Sequence, residues 1–474
     1  MAGNNITRRR ALGLFAKAVG GTALILNSTG LRLSAETRGA REFNVLDYGA
    51  KGDGATSDTA AIQRAIDAAS ASGGGARVII PGGRRFMTGT LRLKNGIDFH
   101  LADDAELRAI LQAHAYDENA ALLTADGAEG LRITGTGRIN GRSPEFMTTY
   151  NTEGEIWRPA PFRPRLALLT HCRDLEVRDI TFFEAPNWTL HLAGCQGVLV
   201  DRVKIDNQLD VPNCDGIDPD HCRDVEIKNC RIKCGDDAIV IKATRPFAHL
   251  GGSSNIRVSD CVLETHDSGL KIGTETVAPI HDIRFERCEI THSCRGCTIQ
   301  LRDEGDVHDI VFRDIKFTAQ YHADPWWGRG ESISFTAIPR TKDVKVGQIR
   351  NVRVENVTGR AENSARISGC EESRIQDVEF KNVQLTLDRW TKYRGGVWDN
   401  RPTKAVDAIE EHKTSAIHVR HADDVTLRDC KIEWGEHCPD YFTHALEAEN
   451  VTKLTYPNFQ AEAAHPLRDA AIKT

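Results

Sequence analysis

The most regular feature of this chain is a hydrophobic pattern that returns along most of its length. Apolar residues occupy the first, third, sixth and eighth positions of a short unit, and mostly polar residues lie between them. The units begin at Leu175, Val198, Val225, Ile256, Ile283, Ile310, Val352, Val378 and Val425. Where no insertion intervenes, successive starts are 23 residues (Leu175 to Val198) to 31 residues (Val225 to Ile256) apart. This period is too short for two helices and a turn, and the alternation predicts short strands with one inward apolar face.

Units of this kind cannot bury their inward face alone, so they must stack as a solenoid. The pattern therefore predicts an all-β, right-handed parallel β-helix over residues 41–474, as one domain and a single solenoid. Asn, Asp and Gly between the apolar pairs suit the tight corners that such a coil needs.

Both ends of the predicted coil need covers, because an open end would expose unpaired strand edges. Ser57 and Asp58 precede Ile62 and Ile66 at helical spacing, which predicts an N-capped amphipathic helix inside an N-terminal cap of about residues 41–95. The pattern becomes irregular after Val425, and we expect residues 436–474 to form a tail or a C-terminal cap.

The beginning of the chain carries an export pattern. Arg8, Arg9 and Arg10 precede an apolar stretch from Ala16 to Leu26, which is too short and too rich in Gly for a membrane span. We interpret residues 1–35 as a twin-arginine signal and expect a periplasmic or secreted protein with no membrane association after its removal. The alternative is a basic cytosolic arm.

Removing residues 1–35 takes away five cations and no acids, so the formal charge changes from -6 to -11. A strongly acidic chain is a poor partner for nucleic acid, but a local field within a cleft still permits an acidic polysaccharide as the partner. We expect the mature protein to be a monomer.

All thirteen cysteines lie between Cys172 and Cys438, and several recur at matching places in the repeat. This recurrence favours stacked, buried thiols. The pair Cys294 and Cys297 has two-residue spacing, but no second pair or histidine at zinc-finger spacing accompanies it. No metal site is predicted.

Two acidic segments, about one repeat apart, carry the candidate chemistry. Asp215 lies in Asn213-Cys214-Asp215-Gly216, and Asp236 and Asp237 follow Gly235. Equivalent places on adjacent rungs are about 4.8 Å apart, so the three carboxylates can face one cleft if Gly235 marks a corner or bulge. Crowding predicts that at least one carboxyl has a raised pKa, as acid–base cleavage of a glycosidic bond requires.

Several segments together resemble family 28 glycoside hydrolases, the polygalacturonase family, within the pectin-degrading β-helix superfamily. They are Phe43 to Ala61, Pro186 to His191, Asn213 to Asp220, and Gly235 to Lys242. The resemblance implies that Asp215 and Asp237 are bases that hold the attacking water. It also implies that Asp236 is the general acid and that the anomeric carbon inverts.

The chain departs from this family in the next two motifs. Asp267-Ser268-Gly269 replaces Gly-His-Gly, and Thr298-Ile299-Gln300 replaces the Arg-Ile-Lys that grips the uronate carboxylate. His266 lies two residues from the missing histidine and could reach the site, but we expect it to be a solvated corner residue.

Five residues are nevertheless candidates for sugar contact. Alternation with apolar neighbours predicts that Lys271, Gln300 and Arg302 project outward. Asn213 belongs to the first acidic motif. Trp327 lies in a Gly-rich insertion, where its ring would stack on a sugar or pack against the coil.

Three functions stay open at this point. The first is an exported inverting glycosidase that cuts galacturonan or a related pectic polymer such as rhamnogalacturonan. The second is a calcium-dependent pectate-type lyase with the same architecture, and the third is a non-catalytic carbohydrate-binding β-helix. No cofactor is expected, because water is the nucleophile and carboxylates transfer the protons.

Overall fold

The computed structural model describes residues 41–474, so the predicted signal over residues 1–35 lies outside the described residues. Within this range, 36 strands form one continuous parallel sheet in which each strand pairs with the equivalent strands of the rungs before and after it. The pairings sort the strands into three faces, which confirms the parallel β-helix that the hydrophobic repeat predicts.

The first face, called the site face below, carries the acidic motifs. Its strands are Leu91–Arg92, Ala121–Asp126, Arg165–Thr170, Leu190–Ala193, Ile217–Asp220, Ile239–Ala243, Ser268–Thr276, Arg295–Leu301, Glu331–Ala337, Ala365–Ser368, Ile417–Arg428, Leu446–Val451 and Ile472–Lys473.

The second face begins with the first strand of the described chain. Its strands are Glu42–Asn44, Ala76–Ile80, Ile97–Leu101, Arg132–Gly135, Arg173–Arg178, Gln196–Asp201, Arg223–Lys228, Ser253–Ser259, Ile280–Glu286, Val307–Ala319, Ile349–Ala361, Ile375–Leu387 and Leu454–Thr455.

The third face closes the coil. Its strands are Asp53–Ser57, Arg85–Thr88, Glu106–Ala109, Arg138–Asn140, Thr181–Phe183, Lys204–Asp206, Arg231–Cys234, Val262–Thr265, Glu289–Ser293 and Lys431–Trp434. The three long strands that begin at Val307, Ile349 and Ile375 run on from the second face into the third.

A few elements lie outside this coil. Two antiparallel hairpins pair Met147–Asn151 with Ile156–Pro159, and Val397–Asp399 with Ile409–Glu411. Short 3-10 helices occur at Val45–Tyr48, Ala113–Ala115, Ser143–Phe146 and Arg245–Leu250. No helix in the described range is long and apolar enough to cross a membrane.

The predicted capping helix is Thr59–Ala71, and it packs Ile62, Ile66 and its alanines against the first rungs. Its capping chemistry differs from the prediction. Asp58 stands at the N-cap but makes no side-chain cap, because its carboxylate accepts from the N–H groups of Lys51 and Gly52. The side chain therefore fastens the preceding loop rather than the helix terminus.

The core is the inside of the coil, where equivalent side chains stack from rung to rung. The inward apolar positions of the repeat are buried throughout, and the rings of Phe285 and Phe312 stack with centroids 4.9 Å apart. Corner residues such as Asp224, Asn229 and Asp260 adopt positive φ, as the predicted tight corners require.

The predicted stacked thiols are present, because Cys195 contacts Cys172 and Cys222, and Cys261 contacts Cys230 and Cys288. All thirteen cysteines are free thiols, and eleven of them are buried. The region predicted as a tail or C-terminal cap, residues 436–474, is more regular than expected. Leu446–Val451 and Leu454–Thr455 add a further rung to the strand Ile417–Arg428, because alternate apolar residues continue even where the full repeat is lost.

Candidate active site

The corner that carries two of the acids lies between the strands Arg231–Cys234 and Ile239–Ala243. Gly235 is needed there because a Cβ atom would lie 2.2 Å from the carbonyl oxygen of Val211. The chain turns at this point, and both Asp236 and Asp237 line the same cleft. The predicted corner at Gly235 is therefore confirmed.

Asp236 is held by backbone and amide donors. One carboxylate oxygen accepts from the Asn213 N–H (3.1 Å) and the Asn213 side-chain amide (3.4 Å), and the other accepts from the Asp237 N–H (2.9 Å). Asn213 has φ 56°, a left-handed conformation that Asn tolerates. Arg163 donates to the Asn213 side-chain oxygen at 2.6 Å, so a residue absent from the sequence motifs helps to place the acid.

Asp215 occupies the corresponding corner one rung earlier, just before Ile217–Asp220. The Cys214 thiol joins the two corners, because its sulfur accepts from the Gly235 N–H (3.0 Å) and donates to the Val211 carbonyl (3.1 Å). The two acid-bearing corners are therefore in direct contact.

The three acids meet in one cleft. Asp215, Asp236 and Asp237 each place a carboxylate oxygen within 4.8 Å of the other two. The cleft has a volume of about 220 Å³. Its polar lining is Asn213, Asp215, Asp236, Asp237, Lys242, Asp267, Lys271, Thr274 and Glu275, and its apolar lining is Ile156, Trp188, Pro212, Pro325, Trp326 and Trp327. A larger depression of about 690 Å³ over the first rungs contains none of these acids.

Two buried lysines balance part of this negative charge. Lys271 lies in the strand Ser268–Thr276, and its ammonium is 2.7 Å from the Asp237 carboxylate. Lys242 lies 3.6 Å from Asp215, 3.4 Å from Glu275 and 4.6 Å from the centre of the Trp188 ring. The predicted outward projection of Lys271 thus brings it to the acids.

Burial and mutual repulsion favour the protonated form of several acids here. Burial first, and then the charge of Asp236, raises the pKa of Asp215 well above its ordinary value, against the opposing charge of Lys242. Burial and the neighbouring Asp237 also raise the pKa of Asp236. Burial and crowding therefore raise the pKa of more than one acid in the cleft, as the crowding of the acids predicts.

Two further acids take part in this cluster although no family motif named them as catalytic. Asp218 is fully buried, with both carboxylate oxygens lacking a hydrogen-bond partner, and burial raises its pKa to about 7. Burial and the charge of Asp237 raise the pKa of Asp267 well above its usual range. The sequence indicates that these two acids belong to the cluster only when the strands of neighbouring rungs are aligned. Asp218, for example, projects outward from its strand and lies 3.8 Å from Lys242 on the next rung.

Ser268 stands where the family has histidine. Its N–H donates to Asp237 at 3.3 Å, and its hydroxyl donates to Asp267 at 3.0 Å. His266 is not among the residues that line the cleft, and its Nδ1 atom is buried without a hydrogen-bond partner. The expected solvated corner histidine is therefore wrong, because the insertion over residues 320–330 covers it.

The predicted contacts of Gln300 and Arg302 with the cleft need correction. Both are buried, and neither lines the cleft. Arg302 instead donates to the carbonyl oxygens of Leu301 and Thr336 and to the Thr336 hydroxyl. The insertion bearing the hairpin Val397–Asp399 and Ile409–Glu411 covers this part of the site face, so outward projection there does not lead to solvent.

The adjacent tryptophans of the insertion take different places. Trp326 is buried against Cys294 and Ala323, and its indole N–H donates to the Glu155 carbonyl at 3.3 Å. Trp327 is half-buried, and both tryptophans line the cleft. Of the predicted sugar contacts, Asn213, Lys271 and Trp327 therefore share the cleft with the acids.

The spacing of the acids does not by itself support inversion. An inverting pair of carboxyls ordinarily lies about 6.5–9.5 Å apart, which leaves room for a water. Here the nearest oxygens of all three acids lie within 4.8 Å of one another. Inversion therefore depends on the family resemblance rather than on distance.

Comparison with known proteins agrees with this architecture. The sequence model described as "Glycosyl hydrolases family 28" matches residues 73–395. A probable polygalacturonase of Vitis vinifera is 25% identical over 389 residues, which are 75% of this chain and 77% of that protein. In fold, the chain is similar to the family 28 exopolygalacturonase of Yersinia enterocolitica, with TM-score 0.65, 18% identity and coverage of 89% and 78% of the two chains. An exopolygalacturonase of Thermotoga maritima gives TM-score 0.58 and 23% identity over 73% and 87%.

The β-helix and its carboxylate cleft thus define a glycosidase. Because the family model spans more than half of the chain, this protein belongs to family 28 of the glycosyl hydrolases.

Proposed function

We propose that this protein is a polygalacturonase-type hydrolase that cleaves a pectic polysaccharide with inversion. The observation that carries the proposal is the meeting of Asp215, Asp236 and Asp237 in one cleft between two buried lysines. The sequence similarity to a probable polygalacturonase supports a pectic polysaccharide as the substrate.

The roles of the acids follow their surroundings. Asp236 is the least buried of the three and has a raised pKa, so it holds a proton that the leaving glycosidic oxygen can accept. Asp237, whose carboxylate lies 2.7 Å from the Lys271 ammonium, is assigned as the base for water. Asp215 assists Asp237 in holding that water.

Sugar binding is proposed for three residues at the cleft. Asn213 offers an exposed amide, Trp327 offers a ring face, and Lys271 offers a cation that a uronate carboxylate can approach. Lys242 adds a second cation, which the sequence motifs did not single out as a sugar contact.

The proposal includes export before action. The arginines at residues 8–10 and the apolar stretch behind them support a twin-arginine leader and a periplasmic or secreted enzyme. Mass analysis of the protein recovered outside the cytoplasm would test processing near Ala35. An intact N-terminus on all the exported protein would contradict it.

The function is tested by product analysis on polygalacturonate and on rhamnogalacturonan. We expect new reducing ends on one polymer without the ultraviolet absorbance of unsaturated uronates. Asp236→Asn should lower the rate by about a hundredfold or more, because it removes the general acid. Asp224→Asn, at an exposed position in the strand Arg223–Lys228 on the second face, outside the cleft lining, is the matched control and should leave the rate unchanged.

Other products would contradict this assignment. Unsaturated products would indicate the lyase, for which the three clustered carboxylates would have to hold calcium. No products from either polymer would contradict pectic hydrolysis and favour another glycan or a binding role.

A further inference from the structure

Three histidines from consecutive rungs lie together outside the catalytic cleft. His266 follows the strand Val262–Thr265, His292 lies within Glu289–Ser293, and His322 follows Val307–Ala319. One ring nitrogen from each lies within 4.8 Å of the other two. None of the three lines the cleft.

The ring nitrogens of this cluster are poorly satisfied by the protein. The Nε2 atoms of His292 and His322 are 2.5 Å apart, and the Nδ1 atoms of His266 and His322 are buried without a hydrogen-bond partner. A buried polar atom without a protein partner needs an explanation, such as a bound water or ion.

A second histidine stack in the same coil shows a different arrangement. His281 and His308 stack with ring centroids 4.9 Å apart and planes at 4°. Each of these rings bonds through Nδ1 to the next residue, Asp282 or Asp309, at 2.6 Å. Stacking of rungs therefore explains two aligned histidines, but it does not explain the unpartnered nitrogens of the first cluster.

We propose that His266, His292 and His322 bind one divalent transition-metal ion of the zinc class. Imidazole nitrogens suit zinc, copper and nickel, and three histidines with an open fourth position are an established zinc ligand set. Zn–N bonds of about 2.0–2.1 Å separate two ligand nitrogens of a tetrahedral site by about 3.3–3.4 Å. The His292 and His322 nitrogens must therefore move apart by about 1 Å.

The position of this site gives it a structural consequence. His322 begins the insertion that carries Trp326 and Trp327, whereas His266 and His292 belong to the coil. The Trp326 ring also packs edge-on against His266, with centroids 5.1 Å apart. A bound metal would therefore tie the insertion to the coil beside the cleft, without touching the reacting atoms.

The direct test is titration of the full protein, purified without a histidine tag, with Co²⁺ read by visible absorbance and displaced by Zn²⁺. We expect one equivalent to bind, with affinity lowered about tenfold or more in His292→Ala and in His322→Ala. His281→Ala, from the second stack, should bind as the unaltered protein does. Absence of Co²⁺ and Zn²⁺ binding, or equal binding by all these variants, would overturn the proposal.

A measurement on the unaltered chain covers the case in which a variant does not fold. Zn²⁺ should protect the three clustered histidines from diethylpyrocarbonate, read by mass spectrometry, while His281 and His308 react at an unchanged rate. Equal modification with and without Zn²⁺ would overturn the site. Neither readout depends on hydrolysis, so failure of the metal site and failure of the proposed enzyme activity are distinguishable.

Discussion

The site face of the coil is open at the catalytic rungs and covered a few rungs later. At the open part, Asp236 and Lys271 border a cleft of about 220 Å³. At the covered part, Arg295 and Arg366 are completely enclosed and reach the hairpin insertion through the Asp399 carbonyl and the Asn400 side chain. Side chains that project outward from the site face therefore reach the cleft in one region and the covering insertion in the other.

This difference changes what a buried cation does. Lys271 lies 2.7 Å from one of the proposed catalytic acids, whereas Arg295 lies 3.6–3.8 Å from Asp267, Glu331 and Asp399 and links the coil to the insertion. Burial is similar for both. The open cleft beside Lys271 makes it a candidate catalytic residue, whereas Arg295, which is completely enclosed, stabilises the structure.

The largest effect is expected at the covered rungs. Arg295→Met removes the one ion-pair partner that Asp267 and Glu331 have among the described residues, whereas Asp399 keeps Arg329 and Arg401. The substitution should lower the free energy of unfolding by about 3–5 kcal/mol. Arg302→Met is the matched control, because Arg302 bonds only backbone and hydroxyl oxygens, and burial with neighbouring arginines lowers its pKa to about 9. Urea unfolding measures both. Equal losses of unfolding free energy in Arg295→Met and Arg302→Met would contradict a special role for the Arg295 ion pairs.

At the open rungs, the expected effect is on catalysis. Lys271→Met removes the cation beside Asp237 and should lower kcat/KM by about a hundredfold, since charge stabilisation at a site is typically worth this much. Steady-state kinetics on the polymer identified by product analysis measures the loss. Lys316→Met, an exposed lysine on the third face, should have no effect. A Lys271→Met enzyme with unchanged kcat/KM would remove this residue from the mechanism.

A smaller effect concerns pH. The folded protein binds the Asp218 proton more tightly than the unfolded chain, because the pKa rises from 3.8 to about 7. This contribution is complete below pH 4 and is lost as the pH rises toward and through 7. We expect Asp218→Asn to reduce the loss of unfolding free energy between pH 5.5 and 8 by about 2 kcal/mol. An unchanged pH dependence would contradict a protonated Asp218.

The smallest effect is expected at the rim of the cleft. Trp327→Ala removes a half-buried ring from the cleft lining and should raise KM about three- to tenfold with little change in kcat, because one stacking contact is worth about 1 kcal/mol. Trp390→Ala, outside the cleft lining, is the control. An unaltered KM would favour packing as the role of Trp327.

The sequence predicts the coil well because its evidence is local and repeated. The apolar positions from Leu175 to Ile432 alternate with a constant offset, and all of them are buried as expected. The acids at 215, 236 and 237 also follow from the repeat, since equivalent corners must stack.

The covered region could not be predicted in the same way. Gln300 and Arg302 have the outward position that alternation predicts, but a hairpin about 100 residues later in the chain closes over them. Nothing in the local pattern indicates where an insertion folds back. Lys242 and Asp218 escaped notice as site partners for a related reason, because their pairing joins different rungs.

The Cys214 thiol between the two acid-bearing corners has one more consequence. Burial raises its pKa to about 12, so it stays protonated and unreactive while the rungs are closed. An alkylating reagent can reach this sulfur only when the corners separate. The labelling rate of Cys214, followed by mass spectrometry, therefore reports how often the two acid-bearing corners separate. The measurement needs no added probe.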